Sequence, residues 1–106
     1  MTPQTEYKLW RNAQFTTKEG FFPVFTSFKS KMKTLSPGAI ALFLYFGINS
    51  NNQTGVSFHS IQTIANYFGK SPRTIGNWIK ELVDKGLIVR RQEDVKGKTI
   101  TTLRPY

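Results

Sequence analysis

Cysteine is absent from the 106 residues, which excludes disulfides, zinc–thiolate sites and thiol catalysis. Acidic residues are scarce, 6 against 15 Lys+Arg, so the formal net charge is +9. A surplus of that size draws in phosphate and other anions without fixing a fold. Histidine occurs once, at His59, leaving no partner for a triad or a histidine metal site. The carboxylates Glu81 and Asp84 fall on one helix surface, where local ion pairs are expected, and Glu93 and Asp94 fall in a turn. No glycine-rich phosphate loop precedes a helix. An enzyme is therefore not expected, nor a metal or cofactor. The longest apolar run, from Ala39 to Ile48, is too short to cross a bilayer, and no charged-then-apolar leader is visible. The expectation is one small soluble intracellular domain, with neither a membrane nor a small-molecule partner.

The charge is unevenly placed. Residues 36–69 contain no Lys, Arg, Asp or Glu. Cations collect before that segment (Lys8, Arg11, Lys18, Lys29, Lys31, Lys33) and after it, beginning at Lys70. That distribution describes a globule with basic surfaces, not a solvated polycation.

Residues 1–25 read as an aromatic N-terminal arm, extended, with a strand around Tyr7 to Phe15; residues 26–106 read as the folded domain. Pro23 argues against a helix or a central strand around it. A short helix is expected over Ser27 to Met32. Ser36 and Pro37 then supply an N-cap and a first-turn proline for a helix to about Ile48, and Leu35 with Ile40 forms a staple across that cap. This helix is apolar nearly all round and belongs at the centre. After a polar loop and an extended piece from Val56 to Phe58, Ile61, Ile64, Ala65 and Phe68 recur at helical spacing between Ser60 and Phe68. Gly69 stops that helix, and Ser71 with Pro72 starts another that runs to about Lys85. Its inner stripe is Ile75, Ile79, Leu82 and Val83, with Trp78 packing beside it. Its outer face carries Arg73, Thr74, Asn77 and Lys80. Beyond Gly86 the period changes to two: Leu87–Gln92 and Thr99–Leu103 are strands joined by a turn over Glu93 to Lys98.

Two short helices across a tight turn, the second with a basic outer face, then a hairpin, make a winged helix-turn-helix. The fold class is α+β: three main helices, a β-hairpin wing and the aromatic arm. The stretches GVSFHSIQTIANYFGKS and RTIGNWIKELVDKGLI, with the Leu35-Ser36-Pro37-Gly38-Ala39 opening and the upstream FFPVFTSFKSKMKTLSP, resemble winged helix-turn-helix domains of plasmid and phage replication proteins of Firmicutes and of small regulators related to them. The resemblance covers roughly residues 21–92. It departs from the usual pattern at His59, where proline is common, and at Pro72, where a polar or basic base-reading residue often stands.

The resemblance implies binding of double-stranded DNA by site occupancy, in transcription regulation or in replication or partition of a mobile element, in a bacterial cytoplasm in association with nucleoid or plasmid. Arg73 and Asn77 would face base edges, with Pro72 against a thymine methyl. Lys70, Ser71, Thr74, Lys80 and Thr63 are the phosphate candidates, Ser71 doubling as a cap. Arg90, Arg91, Lys96 and Lys98 would serve from the wing. A module this small implies a homodimer or a cooperative array on DNA. Tyr7, Trp10, Phe15, Phe21 and Phe22 either complete the core or form a dimer contact. The alternative from another class is a protein-interaction module that uses the arm or the basic face.

Overall fold

Four helices of this chain open the same way, with a hydroxyl that takes the backbone N–H three residues on. Thr2 caps α1 (Pro3–Thr16), Ser36 caps α3 (Pro37–Asn49), Ser60 caps α4 (Ile61–Phe68) and Ser71 caps α5 (Pro72–Asp84), with N···O distances of 3.1–3.2 Å. Three of the four follow the cap with proline, whose missing N–H costs nothing in a first turn. A single 3-10 turn, Thr26–Phe28, leads into the one-turn α2 (Lys29–Met32), close to the short helix expected there. The computed structural model describes residues 1–51, 53–92 and 99–106.

The three strands β1 (Val56–Ser57), β2 (Ile88–Gln92) and β3 (Thr99–Leu103) form one antiparallel sheet in the order β1-β3-β2. Ile88 pairs with Leu103 and Gln92 with Thr99. Ser57 pairs with Thr101 on the other side of β3. The sheet thus joins the extended piece before α4 to the two arms of the hairpin. The hairpin turn lies outside the described residues.

The core gathers around α3. Leu42, Phe43 and Phe46 are buried there against Ile64 of α4, Ile75 and Leu82 of α5, and Leu87 and Ile88 of the sheet. Phe28 stacks on Phe43 at 4.7 Å between ring centroids, and Tyr106 sets its edge against both rings. The Phe25 N–H donates to the Tyr106 hydroxyl at 2.8 Å, so the end of the chain ties down the segment before α2. α3 is less enclosed than its composition suggests, since Ile48 is 73 % exposed in its last turn. Val83, expected in the inner stripe of α5, is instead exposed; Ile75, Ile79 and Leu82 are buried as expected.

α5 grips the start of α3 in two ways. The Trp78 ring lies against Gly38; a Cβ on that glycine would collide with the indole. One turn further on, the Glu81 carboxylate accepts from the Ser36 N–H at 2.8 Å and from the Ser36 hydroxyl at 2.6 Å. Ser36 is thereby both capped and capping, and a negative charge sits at the positive end of α3. Glu81 therefore does not make the local helix ion pair expected of it. Asp84 does, with Lys80.

The N-terminal segment departs most from expectation. The arm is helical from Pro3 to Thr16, where an extended segment with a strand over Tyr7 to Phe15 was expected. Its sequence lacks a persistent apolar stripe because the helix buries nothing: none of its residues is buried. Helix formers such as Gln4, Glu6, Lys8, Leu9, Arg11 and Ala13, behind a Thr2-Pro3 cap, account for the helix without tertiary packing. Phe22, by contrast, packs edge-on against Phe43 at 5.9 Å, so the chain joins the body before residue 25. The projecting helix gives a radius of gyration of 15.9 Å, against about 13 Å for a compact chain of this size.

Two substitutions test the grip. Glu81→Ala strands both Ser36 donors and should cost about 1–3 kcal/mol in urea unfolding. Gly38→Ala adds helix propensity but forces the indole aside, and should lower the melting temperature by an amount equivalent to about 1–3 kcal/mol. A stability gain in Gly38→Ala would show that Trp78 does not rest there.

Candidate nucleic-acid interface

The turn between α4 and α5 decides how α5 is presented. Gly69 ends α4 in the left-handed region, at φ 65°, and the Lys70 N–H returns to the Ala65 carbonyl at 3.1 Å. A Cβ at Gly69 would meet nothing within 4 Å, so the backbone angle alone asks for glycine. Two residues later Ser71 restarts the helix. Its hydroxyl accepts from the Thr74 N–H at 3.1 Å and donates to the Thr74 hydroxyl at 3.0 Å. Ser60 and Thr63 repeat the arrangement at the start of α4. Three of the phosphate candidates, Ser71, Thr74 and Thr63, are thus employed in caps. These caps lie at the exposed starts of both helices, where anions are favoured.

Burial of Ile75, Ile79 and Leu82 turns the opposite side of α5 to solvent. Pro72, Arg73, Asn77 and Lys80 are exposed there. Arg73 and Asn77, one helical turn apart, are about 6 Å apart along the axis. Both side chains are free of hydrogen bonds to the described residues, so their donors point to water. Lys70 is exposed beside them in the turn. Lys80 holds Asp84 at 2.9 Å, and this bond with its charge raises the lysine pKa. The pair is open to solvent, where such bridges are weak and easily exchanged. Trp78 packs on Gly38 and sets its edge against Phe68 at 5.6 Å, as core packing beside the stripe requires.

The wing arginines separate by strand alternation. Ile88 faces the core and Val89 faces out, so Arg90 turns in and Arg91 turns out. Arg90 donates through Nη1 to the Thr101 hydroxyl at 2.6 Å and through Nη2 to the His59 carbonyl at 2.9 Å. Its guanidinium lies 5.8 Å from the Phe46 ring centre, and burial lowers its pKa. It binds the hairpin to the residue preceding the Ser60 cap. Arg90, expected from the sequence among the wing contacts, is thus engaged within the fold. Arg91 remains exposed, and Lys96 and Lys98 lie outside the described residues.

The aromatic candidates also separate. Phe22 belongs to the body, whereas Tyr7, Trp10, Phe15 and Phe21 are each more than half exposed. Glu81 and Arg90 are the residues whose part was missed. The phase of the apolar alternation, with Ile88 inside, marks Arg90 in hindsight. Nothing local marks Glu81, whose partner is 45 residues away.

Among the described residues no group of acidic, histidine or cysteine side chains could hold a metal ion, and no helix is long and apolar enough to cross a membrane. No curated protein matches the sequence. In three dimensions the chain is similar to a MarR-like transcriptional regulator from Thermotoga maritima, with a TM-score of 0.56 and 15% identity. The match covers 98% of this chain and 66% of that one, just under two thirds of its length. At that identity the likeness speaks for the winged-helix fold, which the helices and three-stranded sheet display. Residues 33–88 match the family described as a helix-turn-helix domain, and it is to this family that the chain belongs.

Proposed function

We infer that this chain binds double-stranded DNA at specific sites, with α5 in the major groove and the hairpin on the flank. The observation that carries the reading is the pair Arg73 and Asn77: exposed, uncommitted and one turn apart near the start of a helix whose other side is locked into the core. Arg suits guanine and Asn suits adenine through paired hydrogen bonds. Pro72 beside them makes no such bond and offers only an apolar contact, for instance to a thymine methyl. Lys70, Lys80 and Arg91 set the frame on phosphates, and the first turns of α4 and α5 add amide donors. Such a module would act by occupying its site, and two copies on a palindrome or on tandem sites would supply the affinity that one short contact lacks. Resemblance to plasmid and phage replication proteins favours regulation, replication or partition on a mobile element as the setting.

Selection of bound sites from random duplexes at about 150 mM salt tests the reading, because nonspecific phosphate attraction is reduced there. A sharp enriched motif is expected; enrichment of nothing would sink it. On the selected site, Arg73→Ala and Asn77→Ala should each cost about 1–3 kcal/mol and relax preference at one or two base pairs. Lys70→Ala and Arg91→Ala should weaken all sequences alike and flatten the salt dependence by about one unit of slope each. Arg90→Ala should leave the salt slope unchanged and lower the unfolding free energy by about 1–3 kcal/mol.

A further inference from the structure

α1 is a helix with nothing to lean on, yet one of its faces is far from bland. Tyr7, Trp10, Gln14 and Phe15 share that face with Lys8 and Arg11. Tyr7 and Trp10 stand 5.9 Å apart between ring centres, Arg11 lies 5.5 Å from the centre of the Phe15 ring, and Phe21 from the following turn meets Phe15 edge-on at 5.7 Å. Between the helix and that turn lies an open cleft of about 370 Å³, and Glu19 is the one acidic side chain along it. The exposures are 59 % for Tyr7 and Trp10, 57 % for Phe15 and 61 % for Phe21. Residues 1–33 carry six cations against Glu6 and Glu19.

Two kinds of occupant could cover exposed rings: another apolar surface or the faces of unpaired bases. A helix that pairs with its own copy needs a continuous aliphatic stripe and few like charges on it. Here Leu9 and Ala13 fall on the side opposite the rings, and in a two-fold pairing Lys8 and Arg11 would meet their own copies. Rings interleaved with cations are instead what a phosphate backbone with unstacked bases requires: the cations follow the phosphates and each ring accepts a base face. Tyr7 and Phe15 are separated by about 12 Å along the helix axis, so a strand laid along this face would pass more than one ring.

We propose that the aromatic face of α1, with Phe21, is a binding surface for single-stranded DNA, separate from the duplex-reading face of α5. The choice of DNA rests on the duplex reading above, since α5 would bring this surface to DNA; the stacking and charge argument does not depend on it. The chain would then hold a duplex site with α5 and a neighbouring unpaired strand with α1.

The test titrates the full chain with labelled oligothymidylate of about 16 nucleotides, and with a strand of equal charge made of abasic sites. The normal strand should bind about tenfold or more tightly than the abasic one, and Tyr7→Ala, Trp10→Ala and Phe15→Ala should each weaken it by about tenfold. Trp10→Phe should keep most of the binding. Because α1 buries nothing, the melting temperature of these variants should stay at that of the parent. Equal affinity for the two strands, or alanine variants that bind like the parent, would overturn the proposal. So would a parent that sediments as a dimer and becomes a monomer in Trp10→Ala, because the face would then be a contact between copies. Tighter binding to an oligouridylate of the same length would assign the surface to RNA and overturn the choice of DNA. Arg73→Ala/Asn77→Ala separates the two readings: it should lose duplex preference while keeping the single strand. A parent with no duplex preference but ring-dependent strand binding would remove the duplex reading and leave this surface standing.

Discussion

The presentation of α5 depends on how its own middle turns hold the beginning of α3. Trp78 and Glu81, three residues apart on one side of α5, take the first turn of α3 between an indole ring and a carboxylate. The first contact is possible because residue 38 is glycine. The second is strong because a charged acceptor meets two donors that the helix start would otherwise leave to water. Ile75, Ile79 and Leu82 supply the burial that decides which side of α5 faces in. The directional pair adds a geometric hold on that orientation. Arg73 and Asn77 are outward because they lie across the helix from the buried stripe.

Much of this was legible in the sequence, and the reasons are local. Caps at Ser36, Ser60 and Ser71, first-turn prolines and Gly69 mark helix ends by chemistry confined to a few residues, and the structure places them within a residue or two of the reading. The strand over Thr99–Leu103 matches as read, and that over Leu87–Gln92 begins one residue later. The failures share a different cause. Glu81 and Arg90 act through partners far along the chain, which periodicity does not reveal. α1 lacks the amphipathic stripe that marks a packed helix, because it has no core to face. Its Thr2-Pro3 opening carries the same signal as Ser36-Pro37 and Ser71-Pro72, and it outweighs the missing stripe.

Charge follows a similar division. The body of the domain, over residues 36–69, is free of formal charge, so its stability rests on packing and backbone hydrogen bonds and not on ion pairs. Lys80–Asp84, the one ion pair among the described residues, is exposed and contributes little. The surplus of cations is therefore left for partners. Arg90 is the exception: its guanidinium is spent inside, on a hydroxyl, a carbonyl and the Phe46 ring.

That inward arginine has a geometric consequence. By joining β2 to the residue ahead of the Ser60 cap, Arg90 makes the root of the hairpin and the start of the helix-turn-helix move as one body. If α5 and the hairpin lie on one duplex as proposed, which rises about 3.4 Å and turns about 34° per base pair, one inserted pair between their contacts would carry the second away and around the axis. The fold would thus act as a ruler as well as a reader, and the separation of the two stretches would be as much a part of the site as their letters.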